Sequence, residues 1–262
     1  MGGTQRCPLG SVATVLLYGV VNASPDSVQR DSIATTPSAA VVRARQLLAD
    51  GAQAIDVGGQ GSTDEATVVD WTVEWARLES ILPALAALGV DVSVDSWRPE
   101  VVRRALDAGA TVINAADGMQ AEEMWQVAAD FAVPVVVPFL SGRNPHEMAH
   151  VRDDPIDAIC AFFEARLADA DRFGLRHRCI LDPGTGFAPR GVPWAERYAY
   201  QKHVYSNLGA LRRFGLPLYV ALPWTESLQH EELLEIVVRQ QPEFGRSHRP
   251  AQVREVEAIV AG

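Results

Sequence analysis

The chain has 262 residues, of which 48% are hydrophobic and 21% charged. This composition is that of a globular protein, and it excludes collagen, coiled coils and disordered chains. The 33 acidic and 23 basic residues give a net charge of −10, which argues against nucleic-acid partners and anionic membranes. The three cysteines form no CxxC motif, so we expect neither a disulfide framework nor a zinc site. We therefore expect a cytoplasmic protein without a membrane-spanning segment.

Short runs rich in Val, Ile and Leu alternate with helix-like stretches along the chain. The runs that we interpret as strands buried on both faces are residues 13–21, 54–57, 91–95, 111–115, 133–139, 179–182 and 218–222. The helix-like stretches, most of them bounded by Pro or Gly, are residues 39–50, 73–88, 100–108, 156–173, 195–214, 231–239 and 251–260.

Strands that alternate with helices in this way predict a parallel sheet. About eight such units in roughly 250 residues are typical of a closed barrel. The competing fold, an open doubly wound sheet, usually has a GxGxxG turn after its first strand, and residues 22–27 read NASPDS instead. We therefore predict an α/β fold with one (β/α)8 barrel domain over residues 1–262.

A carboxylate or carboxamide ends five of the predicted strands. Any one of these residues could simply form a turn or cap a helix, but all five would meet at the carboxyl-terminal rim of a barrel, where barrel enzymes have their active sites. Such a set can match the donor and acceptor edges of a flat, nitrogen-rich heterocycle, or it can bind Mg²⁺ through oxygen atoms. The residues are Asn22, Asp56, Asp95, Asn114 and Asp182.

Five motifs resemble those of dihydropteroate synthase, in the order of that family and over nearly the whole chain. They are VVNASPDS at 20–27, GAQAIDVGGQ at 51–60, SVDS at 93–96, GATVIN at 109–114 and LDPGTGF at 181–187. The resemblance implies a pterin-binding barrel, usually a homodimer. Family members join a hydroxymethyl-dihydropterin pyrophosphate to the amine of p-aminobenzoate and release pyrophosphate in the presence of Mg²⁺.

The resemblance also implies roles for individual residues. Asp95, Asn114 and Asp182 would hold the pterin ring. By the same resemblance, Asn22 would bind the metal and the pyrophosphate, with Asp56 nearby. Arg246 and His248 on the eighth strand would bind the pyrophosphate anion. Contacts to the second substrate would come from Phe187, Trp224 and Thr225. The other histidines have no metal-ligand spacing and are interpreted as surface residues, namely His146, His150, His177, His203 and His230.

Two departures from the family pattern remove cations. Asp64 stands where the family has an arginine, and Thr225 stands where it has a lysine. Our hypothesis is therefore a transferase that moves a pterin-methyl group from its pyrophosphate ester to an unusual amine, and that works poorly with p-aminobenzoate. Two alternatives remain open, namely a non-catalytic or regulatory pterin-binding protein and a folate-dependent methyl-transfer barrel that would pair with a corrinoid protein.

Overall fold

Parallel strands and the helices between them form most of the computed structural model, which describes residues 14–26, 30–63, 66–225 and 227–262. The strands are β1 (Leu16–Asn22), β2 (Ala54–Gly58), β3 (Val92–Ser96), β4 (Val112–Ala115), β5 (Val135–Pro138), β6 (Cys179–Asp182), β7 (Tyr219–Ala221) and β8 (Phe244–Ser247). The α-helices are α1 (Pro37–Ala49), α2 (Trp71–Leu78), α3 (Ile81–Ala86), α4 (Pro99–Asp107), α5 (Glu122–Phe131), α6 (Pro155–Arg172), α7 (Trp194–Ser206), α8 (Leu228–Arg239) and α9 (Pro250–Ala261).

The eight strands close into a barrel. They pair in parallel in the order β6-β5-β4-β3-β2-β1-β8-β7. A bridge between Leu181 and Leu218 joins the two ends of this sheet, and the Leu181 amide donates to the carbonyl oxygen of Pro217 at 2.9 Å. The predicted (β/α)8 fold is confirmed. No α-helix of the described residues is long and apolar enough to cross a lipid bilayer.

Side chains of the strands point alternately into the barrel and toward the helices. One apolar cluster fills the interior and is formed by Tyr18, Ala54, Val112, Val136, Ile180 and Tyr219. The next inward position along β2, β4 and β6 carries Asp56, Asn114 and Asp182, respectively. The interior of the barrel therefore changes from apolar to polar toward the carboxyl ends of its strands.

Two predicted helices are shorter in the structure than in the sequence interpretation. The stretch 73–88 divides into α2 and α3, because Pro83 lacks the N–H that a continuous helix would bond to the carbonyl of Glu79. The stretch 195–214 leaves the α-helix at Asn207, whose φ of −116° is not helical, and continues as a 3-10 helix over Leu208–Phe214. Gly209 also weakens the helix there. The sequence patterns set no bounds for α5.

The contact between α1 and β1 leaves no room for a larger residue at Gly19. A Cβ atom on Gly19 would lie 2.8 Å from the Cβ of Leu47, which is itself fully buried. We expect Gly19→Val to lower the free energy of unfolding by about 1–3 kcal/mol through overpacking. Urea denaturation measures this change.

The matched control is Gly209→Ala, since Gly209 is exposed and a Cβ atom there would have nothing within 4 Å. This control should leave the unfolding midpoint unchanged or slightly raised. Equal midpoints for Gly19→Val and the parent would show that the α1–β1 contact is loosely packed.

Candidate active site

Asp56 is the centre of the polar layer. Its side chain is fully buried at the middle of β2 and accepts hydrogen bonds from three neighbours. Asn114 Nδ2 donates at 3.2 Å, Arg246 Nε donates at 2.6 Å, and the Ser93 hydroxyl also donates. These partners come from β3, β4 and β8, so a single carboxylate links four strands.

Arg246 bridges two carboxylates. Besides its bond to Asp56, its Nη2 donates to Asp95 Oδ2 at 3.1 Å. Burial raises the pKa of Asp95 to about 7; the nearby Arg246 opposes this rise and Asp56 adds to it. Burial alone would lower the pKa of Arg246, but Asp56 and Asp95 raise it above its ordinary value. The guanidinium therefore stays charged and is neutralised within the layer.

Asp182 ends β6 and is buried beside a turn that only glycine fits. Its carboxylate accepts a hydrogen bond from the Gly184 amide at 2.8 Å. Gly184 has a φ of +74°, and a Cβ there would lie 2.1 Å from the carbonyl oxygen of Phe139. Burial raises the pKa of Asp182 to about 7, although the Gly184 amide and Arg246 oppose this rise. Near neutral pH this group can therefore either donate or accept a proton.

A cavity of about 480 Å³ opens beside this layer. The strand ends contribute Asn22, Asp95 and Arg246 to its wall, and the loop after β6 contributes Phe187. Asp56, Asn114 and Asp182 are buried and are not among its lining residues. Trp224 and Thr225, which follow β7, line the cavity as well. The structure thus brings the sequence-predicted residues together in two adjoining groups, a buried layer and an open cavity.

His248 lies in the cavity wall just after β8 and is neutral at ordinary pH. Burial, together with the positive charges of Arg246, Arg43 and Arg249, lowers the pKa of His248 to about 3. Its Nδ1 is buried and has no hydrogen-bond partner among the described residues. Its ring lies 5.5 Å from that of Trp224. A neutral imidazole can offer an N–H to a ligand but no positive charge.

One face of α7 supplies cavity residues that the sequence analysis missed. Trp194, Arg197, Gln201 and Tyr205 line the cavity and recur at helical spacing. This spacing was the available signal, but it does not say which helix face looks toward the barrel mouth. His230 of α8 also lines the cavity and stacks on Trp194, with ring centroids 4.3 Å apart.

Two of the histidines that we interpreted as surface residues are partly buried. His230 has the stacking contact just described, and His146 makes hydrogen bonds to two other loops. The surface interpretation is wrong for both. Their contacts are with residues far away in the sequence, which the local sequence pattern does not show. His150, His177 and His203 are exposed, as expected.

Asn22 is the single side chain that the sequence analysis assigned to a metal site. Asn22 lines the cavity, and its Nδ2 donates to the Ser32 hydroxyl at 2.5 Å, so the other polar atom of the amide is an oxygen. Within the described residues no three His, Cys, Asp or Glu side chains form a metal-binding group. Mg²⁺ commonly takes only one or two protein oxygens and fills its shell with phosphate and water. The donor set fits that kind of site. Asp64 lies outside the described residues.

Comparison with known proteins shows which family this chain resembles. The family model described as "Pterin binding enzyme" matches residues 18–223. Dihydropteroate synthase type-2 of Escherichia coli is 30% identical over 95% of this chain and 96% of its own length. The Thermus thermophilus dihydropteroate synthase, solved in complex with 4-aminobenzoate, is 28% identical and superposes with a TM-score of 0.77 over 95% of each chain.

A second solved structure is also similar over most of its length. It is the dihydropteroate synthase of Xanthomonas albilineans with 4-aminobenzoic acid, which is 25% identical with a TM-score of 0.81. The match covers 95% of this chain and 92% of that one.

The raised pKa of Asp182 predicts a pH-dependent effect of Asp182→Asn on stability. Between about pH 4 and pH 7 the folded protein keeps a proton on Asp182 that the unfolded chain releases, so this group lowers the free energy of unfolding as pH rises through that range. Asparagine does not titrate, so it removes this pH-dependent loss of stability, and its side-chain oxygen can still accept from the Gly184 amide. We expect the variant to be more stable than the parent at about pH 8, by at most about 4 kcal/mol, and nearly equal to it at about pH 4.

Urea denaturation at both pH values measures the difference. A gain of the same size at both would mean that the carboxyl group does not titrate in this window.

Proposed function

We propose a pterin-transferase activity for this chain, which belongs to the dihydropteroate synthase family of pterin-binding enzymes. The donor is the pyrophosphate ester of a hydroxymethyl-dihydropterin, and the acceptor is an amine. The amine nitrogen forms a bond to the pterin methylene carbon, the carbon–oxygen bond to pyrophosphate breaks, and the amine releases a proton to water. The observation that carries this proposal is a buried layer of carboxylates and carboxamide beside a cavity of about 480 Å³, a size typical of small-molecule sites.

The polar layer suits a pterin ring. Its 2-amino-4-oxo edge presents adjacent N–H donors, to which a carboxylate such as that of Asp182 can offer two acceptor oxygens. Asn114 can donate and accept at a neighbouring edge. Asp95, with a pKa of about 7, can exchange its bond to Arg246 for one to the ring without leaving an isolated buried charge. Buried partners of this kind discriminate strongly against rings that lack the matching groups.

Arg246 and His248, the two residues implied to bind the pyrophosphate, would offer it little free positive charge. Arg246 is shared between Asp56 and Asp95, and His248 is neutral. His248 would contribute an N–H donor from the cavity wall. Mg²⁺ held by Asn22 and the pyrophosphate oxygens would supply the charge neutralisation that this departure needs. The side chains of Asn22 and His248 would orient the leaving group in the reactive geometry.

The acceptor end of the cavity is aromatic. Phe187, Trp224 and Trp194 line it, and flat aromatic amines pack well against such rings. Thr225 is half-buried in this wall where family members have a lysine. A hydroxyl cannot replace a cation beside an anionic acceptor, so we propose that p-aminobenzoate is a poor substrate and that the natural amine lacks a carboxylate at that position.

Loss of pterin affinity tests the pterin site. Asn114→Ala and Asp182→Ala each remove one partner of the ring, and each should weaken the binding of a hydroxymethylpterin by about 1–3 kcal/mol, or roughly fivefold to 150-fold. Isothermal titration calorimetry without any acceptor measures this loss.

His177→Ala, at an exposed position outside the site, is the control and should bind like the parent. Parental affinity in both site variants would place the pterin elsewhere.

Steady-state kinetics test the acceptor. With p-aminobenzoate we expect kcat/KM to lie about two to four decades below ordinary enzyme values, because two charge-assisted contacts are missing. Thr225→Lys combined with Asp64→Arg should raise this residual rate.

A specificity constant near ~10⁴ M⁻¹s⁻¹ for the parent would refute the proposed acceptor change. Pterin binding without pyrophosphate release from any amine would favour a non-catalytic pterin-binding protein. Tighter binding of methyl-tetrahydrofolate than of the pyrophosphate ester would favour a methyl-transfer barrel.

A further inference from the structure

Four loops at the carboxyl-terminal rim of the barrel meet at one imidazole, that of His146. The side chain belongs to the loop between β5 and α6. Its Nε2 lies 2.9 Å from the carbonyl oxygen of Gly61 after β2, and its Nδ1 lies 3.3 Å from Arg190 Nη2 after β6. Its ring also meets the edge of Trp97 after β3, with the centroids 5.6 Å apart.

The two polar contacts select one form of the ring. A carbonyl oxygen only accepts hydrogen bonds, so Nε2 must carry a hydrogen. A guanidinium only donates, so Nδ1 must accept. Both conditions hold only for the neutral Nε2–H tautomer. The imidazole therefore links the loops after β2 and β6 by one donated and one accepted hydrogen bond.

The loop that carries His146 is held by several hydrogen bonds of its own. The His146 amide donates to Asn144 Oδ1 at 2.9 Å, and the Ser141 hydroxyl donates to the carbonyl oxygen of Ala149 at 2.5 Å. Gln120 anchors the loop from outside, because its Nε2 donates to the carbonyl oxygen of Gly142 at 2.7 Å. A Cβ at Gly142 would lie 2.0 Å from the backbone oxygen of Glu147, so the loop closes tightly on itself.

Both loops that His146 ties together are walls of the large cavity. Residues 60–63 after β2 line it, as do Phe187 and Pro189 after β6. We propose that His146 is a positioning residue that fixes the separation of these two walls. It thereby sets the width of the site for the flat ring of the acceptor bound between them. It touches no substrate and acts through Gly61 and Arg190. The kinetic part of this proposal rests on the proposed transferase function, whereas its structural part does not.

Hydrogen exchange tests the structural part without any turnover. His146→Phe keeps a ring against Trp97 but loses both hydrogen bonds, whereas His146→Gln keeps a donor where Nε2 stood. In the full-length protein we expect backbone amides of residues 59–63 to exchange about fivefold to thirtyfold faster in His146→Phe, a change matching the loss of one or two hydrogen bonds. His146→Gln should recover at least half of this protection on a logarithmic scale.

The matched control is His150→Phe, since His150 is exposed on the same loop and should leave exchange at 59–63 unchanged. Parental exchange in His146→Phe overturns the proposal, and so does equal exchange in the Phe and Gln variants. If His146→Phe does not fold, His146→Gln and Arg190→Met decide the matter. Arg190→Met should accelerate exchange at 59–63 by about twofold to tenfold, and parental protection in that variant would overturn the link between the two walls.

Kinetics test the consequence for the site. With whichever amine is turned over, His146→Phe should raise the acceptor KM about fivefold or more and change kcat by less than about twofold, because the walls position the ring but do not react. His146→Gln should restore KM. A fall in kcat of about fivefold, with KM unchanged, would contradict a positioning role. Absence of turnover in the parent would count against the proposed function alone, since the exchange result stands separately.

Discussion

The guanidinium of Arg246 is the interaction on which the site depends. It is largely buried and contacts the carboxylates of Asp56 and Asp95, so it holds the ends of β8, β2 and β3 together while neutralising their charge. Removing one partner from a buried ion pair typically costs about 3–5 kcal/mol, because the other charge is left in a medium of low polarity. The closed barrel brings these groups together, and Arg246 in turn makes their closeness tolerable. The same ion pairs therefore stabilise the fold and position the residues of the site.

A polar layer inside a barrel does not arise from the needs of stability. The layer below it contains Tyr18 and Tyr219, whose ring centroids lie 5.4 Å apart, and its other members are aliphatic. Above it, burial raises the pKa of both Asp95 and Asp182 to about 7, which shows that the folded state disfavours their charged forms. Ionising these two carboxyl groups therefore lowers the stability of the folded protein. Buried groups that oppose stability in this way are typical of sites that bind or transform ligands.

The sequence predicts seven of the eight strands and the acidic and amide residues of the polar layer, because both follow from local regularities. It predicts no strand at β8, whose residues Phe244–Ser247 contain no Val or Ile run, so Arg246 is found only through the family resemblance. A run of Val and Ile marks a strand buried on both faces, and a period of two fixes which later residue points inward, as for Ala54 and Asp56. No such local pattern predicts the cavity wall and the loops at the mouth of the barrel. The wall from α7 depends on how that helix is rotated against the barrel, and the role of His146 depends on contacts across 85 residues of sequence with Gly61. Neither orientation nor long-range loop contact leaves a periodic signal in the chain.

The same difference explains where this chain departs from its family's motifs. Changing Asp56 would remove the acceptor of the Ser93 hydroxyl, Asn114 Nδ2 and Arg246 Nε, so these strands are joined by mutual hydrogen bonds that resist single substitutions. Thr225 lies half-buried at the mouth, where replacing a lysine by a hydroxyl strands no buried partner. The barrel can thus keep one half of its site while the other half changes residue by residue. Under the proposed function, a different acceptor would therefore be admitted at the mouth without altering the contacts proposed for the pterin ring.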